Sequence, residues 1–265
     1  MNILVSVKQV PESSNVKMNG ETGTVIRTGV ETVVNPLDLY AIETALRLKE
    51  QYGGLVTALS MGPPQAMRVL REAAAMGCDH CALLSDRRFG GADTWATSYT
   101  LARGAEKLGP FDIIVTGERA TDGDTAQVGS ALASWLDIPV LTYVSKITEI
   151  TGGSIRAERL VEEGYEIVET GIPCLISVVK EIAVPRLPTL KGKISSREMD
   201  IPVFSADDLD LDHNCLGLKG SPTRVVKIDT PAIGRGGRMV IIKDEESLSL
   251  AVDELMALFT EKGFV

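Results

Sequence analysis

The sequence predicts an α/β fold built on a parallel sheet, with an antiparallel extension and an extended C-terminal arm. Three features predict it. Short β-branched apolar runs alternate with helical segments from the start of the chain to about Pro139, the order that makes a parallel sheet with helices on both faces. One of these units, 111–136, joins a buried strand to a helix through a polar loop carrying two glycines. Beyond Pro139 the pattern becomes strand-like, with turns at Gly152-Gly153 and Glu163-Gly164, as antiparallel pairing requires.

The elements follow in order. Asn2 to Lys8 reads as the first strand, and Gln9 to Val30 as a polar, turn-rich segment with a hairpin through Gly20 to Gly23. Asn35-Pro36-Leu37-Asp38 opens a helix to about Gln51, with Leu39, Ile42, Ala45 and Leu46 on one face. Leu55 to Met61 is a strand, and Gly62-Pro63-Pro64 starts a helix over Gln65 to Met76. Cys78 to Leu84 is the third strand, Asp93 to Lys107 a helix, and Phe111 to Thr116 the fourth strand. Val184 to Met199 reads as a basic loop with Lys191, Lys193 and Arg197, which in an acidic chain suits a solvated face or a docking surface. Asp207 to Asp212 and Leu216 to Gly237 read as an extended arm, including Gly234-Arg235-Gly236-Gly237-Arg238. Glu245 to Lys262 is an amphipathic helix with Leu248, Val252, Leu255 and Leu258 on one stripe. The expected division is a nucleotide-binding domain over 1–205 and a partner-embracing arm and helix over 206–265. Such an arm has little core of its own and implies a partner chain.

Composition sets limits. Of 265 residues 44% are hydrophobic, enough for one large core. The net charge of -9 argues against nucleic acid as a partner. No apolar run approaches a membrane span, and the first strand follows Met1 without a signal-peptide pattern, so a cytoplasmic protein is expected. Four cysteines fit a reducing compartment. Cys78 and Cys81 form a CxxC, but it follows a helix and enters a strand, the reverse of a redox motif. Cys174, Cys215, His80 and His213 supply no matching zinc knuckle. Buried structural thiols, and no metal, are the expectation.

The central loop carries the chemistry: Gly117, Glu118, Arg119, Ala120, Thr121, Asp122, Gly123, Asp124, Thr125, Ala126, Gln127 and Val128. Asp124 with Gln127 three residues on fits a capping box at the start of the following helix. The remaining amides of that helix end would favour a phosphate, and Gly117 and Gly123 allow close backbone approach. The loop is neither a Walker A motif, because Asp124 stands where a lysine is needed, nor GxGxxG. Residue chemistry alone yields a nucleotide of unspecified class.

The segment Ala157-Glu158-Arg159-Leu160-Val161-Glu162-Glu163-Gly164-Tyr165-Glu166-Ile167, ending in Pro173-Cys174-Leu175-Ile176-Ser177, resembles the signature of the β (small) subunit of electron-transfer flavoproteins. Leu4-Val5-Ser6-Val7-Lys8, the Asn35 to Asp38 turn, the Ser60-Met61-Gly62-Pro63 turn and the central loop resemble further landmarks of that family. The resemblance spans nearly the whole chain. It implies a sheet like that of the adenine-nucleotide α-hydrolases, with an arm around an α subunit that carries FAD. It implies a nucleotide site at Ser6, Asn35, Pro36, Leu37, Asp38, Met61 and Gly117 to Val128. Ordinary members hold AMP there and act as scaffold, whereas electron-bifurcating members hold a second FAD.

The loop, with Gly123 giving room and Thr125 a hydroxyl, resembles the bifurcating type. That type takes hydride from NADH and sends electrons to the α-subunit FAD and to a low-potential acceptor such as ferredoxin or flavodoxin. It needs no catalytic acid or base here, so Asp122 and Asp124 are assigned to capping, ribose contact or loop rigidity. Lys180-Glu181-Ile182-Ala183-Val184-Pro185-Arg186 is similar to the family's recognition loop, which implies a docking role for Ile182, Pro185 and Arg186 and makes Ile182 the apolar anchor. The partner dehydrogenase could be of acyl-CoA, enoyl-CoA or hydroxy-acid type. Two alternatives remain: an AMP-holding scaffold subunit, and an adenine-nucleotide-binding stress-type module without flavin or obligate partner.

Overall fold

The computed structural model describes residues 1–12, 31–226 and 239–264. The expected hairpin at Gly20 to Gly23 and the Gly234 to Arg238 stretch lie outside them. The chain separates into two compact units, Met1–Ile228 and Asp229–Val265.

In the first unit, β1 (Asn2–Ser6) leads into β2 (Gln9–Pro11), which pairs antiparallel with β3 (Thr32–Val34). Helix α1 (Pro36–Tyr52) returns the chain to β4 (Leu55–Met61). Helix α2 (Met67–Met76), entered through a single 3-10 turn at Pro64–Ala66, precedes β5 (His80–Leu84). Helix α3 (Thr94–Leu108), β6 (Ile113–Gly117) and α4 (Val128–Trp135) follow. An antiparallel meander, β7 (Val140–Thr151), β8 (Ser154–Val161) and β9 (Gly164–Gly171), precedes β10 (Cys174–Val178), α5 (Leu190–Glu198), β11 (Val203–Phe204) and α6 (Gly217–Gly220).

The large sheet has the order β11-β5-β4-β1-β6-β10-β7-β8-β9. Its first seven strands are parallel and only the meander is antiparallel. The mixed α/β architecture read from the sequence is therefore present. Alternate residues of the parallel strands divide between two cores. Ile3, Val5, Ala58, Val115 and Ile176 pack with α1 and α2, while Leu4, Leu59, Ile114 and Leu175 pack with α3 and α4. The chain runs from β1 outward to β4 and β5, then crosses back to β6 on the other side of β1. That reversal opens a crevice at the carboxyl ends of β1 and β6, where such sheets bind ligands.

Two expectations change. The Val184 to Met199 stretch is not only loop, because Leu190–Glu198 forms α5. The helix is set by tertiary capping: Thr189 Oγ1 accepts from the Gly192 amide at 2.9 Å, and Arg71 donates to the carbonyls of Ser196 and Met199. Residues 206–221 do not form a free arm. Ala206, Leu209 and Leu216 are buried against the α3 face, and Arg88 bridges Asp86 to Asp207. The first compact unit, which contains these residues, extends to Ile228.

The second unit contains α7 (Glu245–Glu261), capped by Asp244 and Ser247 through reciprocal hydrogen bonds. None of its residues is buried, and Leu248, Val252, Leu255 and Leu258 are each close to half exposed. No helix among the described residues is long and apolar enough to cross a membrane.

Candidate functional site

The crevice is assembled from three chain segments. Ser6 ends β1, and its register places it beside Leu59 of β4 and Thr116 of β6. Met61 ends β4 on the same sheet face as Leu59. Gly117 ends β6, and a β-carbon there would lie 2.9 Å from the Leu37 carbonyl. The start of α1 and the central loop are therefore in backbone contact, which is why residue 117 has no side chain.

Asn35 joins them. Its side chain is fully buried and engages the loop and the helix start together. Asn35 Nδ2 donates to Asp38 Oδ1 at 2.8 Å and to the Arg119 carbonyl at 2.9 Å, and Asn35 Oδ1 accepts from the Thr121 amide at 3.2 Å. Asp38 Oδ2 accepts from the Lys8 amide at 2.7 Å. Burial pushes the Asp38 carboxyl up to about 7, against the pull of those two N–H donors and of the Lys8 charge. Pro36 is exposed and Leu37 half-buried beside them.

The loop acids are neutralised locally. Lys8 Nζ pairs with Asp122, and Arg119 pairs with Glu118 and with Asp124, both at 3.1 Å. Asp124 consequently does not cap the next helix, and the expected capping box is absent. Its φ of 51° and the φ of 54° at Ala126 carry the chain through the left-handed region instead. For alanine this costs about 1–2 kcal/mol, the kind of strain found where a loop shape is functional. Among the described residues no side chain caps α4, so the amides of its first turn are left for an external acceptor. Gln127 accepts from the Thr94 hydroxyl at 3.3 Å, tying the loop's end to α3. Thr121, Asp122, Gly123, Asp124, Thr125 and Gln127 are exposed, and Ala120, Ala126 and Val128 are half-buried.

Sequence reasoning missed parts of this arrangement. Lys8, which the sequence shows as a strand end and part of a family landmark, meets both Asp38 and Asp122. Thr116 Oγ1 is buried without a partner among the described residues, under Gly129. Register also sets Thr116 beside Ser177 of β10, whose Oγ accepts from the Tyr143 amide at 3.2 Å. Tyr143 itself stands at φ 57° in a β7 bulge. The hydroxyl residues at successive strand ends were a visible signal, but only strand order makes them neighbours.

The segment after β10 lies apart from the crevice and differs from expectation. Ile182 is half-buried and packs on the core, where it meets α1 and β7. Arg186 is held by α1, with Nε 2.7 Å from Glu43 and Nη1 paired to Glu50. Those hydrogen bonds hold the Glu43 carboxyl below its usual range despite its burial. Ile182 and Arg186 therefore fasten this loop to the protein. The apolar side chains it leaves exposed are Val184, Leu187 and Leu190. The cysteines behave as structural thiols: Cys78, Cys81 and Cys174 are buried, and burial pushes Cys81 up to about 12.

Sheet order and the switch point define an α/β protein with a large, mostly parallel sheet. Residues 22–209 match the electron transfer flavoprotein domain. The chain is 47% identical to the electron transfer flavoprotein subunit beta of Thermoanaerobacterium thermosaccharolyticum over 96% of its length and 98% of the relative's. It is 46% identical to the caffeyl-CoA reductase-Etf complex subunit CarD of Acetobacterium woodii, over 91% and 92%. It is 39% identical to the protein FixA of Azotobacter vinelandii, over 98% and 95%. The chain belongs to the electron transfer flavoprotein family, as a β subunit, and pairs with an α subunit of that family.

Proposed function

We propose that this β subunit holds an FAD in its switch-point crevice and belongs to a bifurcating electron-transfer complex. When bound, the flavin supplies the redox chemistry: it accepts hydride from NADH and passes electrons to the α-subunit FAD, which serves a partner dehydrogenase, and to ferredoxin or flavodoxin. The residues of this chain bind and orient it.

The observation that carries this reading is Gly123. A β-carbon there would meet nothing within 4 Å among the described residues, and its backbone is not left-handed. The fold therefore does not require glycine at 123, and its small size favours close approach by something outside the chain. Around it, the uncapped amides of α4 suit a phosphate oxygen, and the exposed Thr125 hydroxyl can donate to another. Asp122 and Asp124 are turned into ion pairs with Lys8 and Arg119, which lowers their repulsion toward a pyrophosphate. No acid or base is assigned to this chain. The relative named as a subunit of a caffeyl-CoA reductase-Etf complex supports a CoA-linked or similar dehydrogenase as partner.

The test is flavin released per heterodimer, with chromatography to separate FAD from AMP. Two FAD are expected in the native complex. Gly123→Glu, which crowds and repels a pyrophosphate, should leave one FAD and remove NADH reactivity. One FAD with one AMP in the native complex would refute the bifurcating role and favour the AMP-holding scaffold.

A further inference from the structure

Asn35 is completely buried, yet it belongs to neither apolar core. Its amide is occupied by Asp38, Arg119 and Thr121, leaving little capacity for a ligand. Asp38 is likewise buried, with one oxygen on Asn35 and the other on the Lys8 amide. The Asn35 amide in turn donates to the Lys8 carbonyl at 2.9 Å, and the Asp38 amide to the Asn35 carbonyl at 2.9 Å. Both side chains are thus buried and bonded to protein groups behind the loop.

The two loop groups that Asn35 holds are main-chain atoms, the Arg119 carbonyl and the Thr121 amide. Together with the Glu118 amide on the Val178 carbonyl, the turn from Ala120 to Asp124 and the ion pairs of Asp122 and Asp124, they fix the entry to the exposed stretch. Losing the amide would remove the protein partner of a half-buried carbonyl and a half-buried N–H, and the loop would shift to hydrate them. We infer that Asn35 and Asp38 are positioning residues, a buried clamp that sets the backbone of 119–121 and through it the affinity of the loop for a nucleotide. This deepens the proposed nucleotide site and rests on that reading. It reassigns Asn35 and Asp38 from ligand contact to the support behind it, and adds Lys8 as the third member, through its amide to Asp38 and its ammonium to Asp122.

The test uses the full-length chain purified with its α subunit and stripped of nucleotide. Two variants are compared with the native chain. Asn35→Ala removes the clamp. Asp38→Asn keeps the shape but leaves one acceptor oxygen facing two N–H donors. Amide hydrogen exchange is followed in 118–126 and, as control, in the cores of β6 and α1, while AMP and FAD are titrated separately. The clamp predicts faster exchange confined to 118–126 and a roughly tenfold rise in Kd for whichever nucleotide binds, equivalent to about 1.4 kcal/mol. Should Asn35→Ala loosen the whole domain, Asp38→Asn decides. Unchanged exchange in the loop, or faster exchange with unchanged Kd, overturns the clamp. If the native complex binds neither AMP nor FAD, the nucleotide reading falls, and the exchange data alone then support or overturn the clamp on 119–121.

Discussion

Gly117 and Asp38 approach so closely that a β-carbon on residue 117 would stand 2.5 Å from Asp38 Oδ1. The end of β6 and the first turn of α1 therefore meet without room for a methyl group. Gly117→Ala should force Leu37 and Asp38 aside, at a cost of about 1–3 kcal/mol. The expected outcome is a lower melting temperature and weaker nucleotide binding together. An unchanged melting temperature would mean that the two segments separate freely.

Asp38 also predicts a pH dependence. Its folded-state value of about 7 lies above the ordinary 3.8. Between those values the folded chain keeps a proton that the unfolded chain has released. Stability from the neutral carboxyl is thus full below about 4, falls as pH rises to about 7, and is level beyond. Glu43, held low by Arg186, acts oppositely and loses its contribution as pH falls below its usual range. Thermal midpoints from pH 4 to 8 should decline in the native chain and be flatter in Asp38→Asn. Equal slopes in both would assign the effect to other groups.

The proposed docking role separates the segment after β10 into inward-packed and exposed side chains. Ile182→Ala should lower stability by about 1–2 kcal/mol, because the side chain packs inward. Leu187→Ser with Leu190→Ser removes side chains that are 88% and 77% exposed. That pair should leave the melting temperature unchanged and slow electron delivery to the dehydrogenase by roughly tenfold, as loss of an interface anchor does. NADH reduction of the complex should be unaffected. Slowing by Ile182→Ala alone would restore it as the anchor.

Assembly is tested by truncation after Ile228, the end of the first compact unit. The cut lies beyond Ser221 and Thr223, which are hydrogen-bonded to Asp93 at the start of α3. The shortened chain should fold and fail to hold the α subunit, because the exposed apolar stripe of α7 is gone. Size-exclusion chromatography showing an intact heterodimer would show that the first unit suffices for assembly.

Much of the fold was legible in the chain. Strand and helix order, the Gly117 to Val128 loop and the family resemblance all come from contiguous residues, whose periodicity and turn chemistry are local properties. The α5 helix was not legible, because its stabilising partner Arg71 lies on another helix. The capping box at Asp124 failed for a related reason: Arg119 competes for that carboxylate, and the backbone turns left-handed.

The sequence by itself determined the α/β order, the strand–loop–helix unit at the switch point and membership of the electron transfer flavoprotein family. Only the tertiary structure decided what the individual polar residues do. Asn35 finds its loop partners 84 and 86 positions away, and Arg186 finds Glu43 at a separation of 143. Asn35 and Arg186 are bonded to partners within the protein that no local pattern shows. The physical reason is that a buried polar group must be satisfied by whatever the fold brings within hydrogen-bond reach, and chain order does not record that distance.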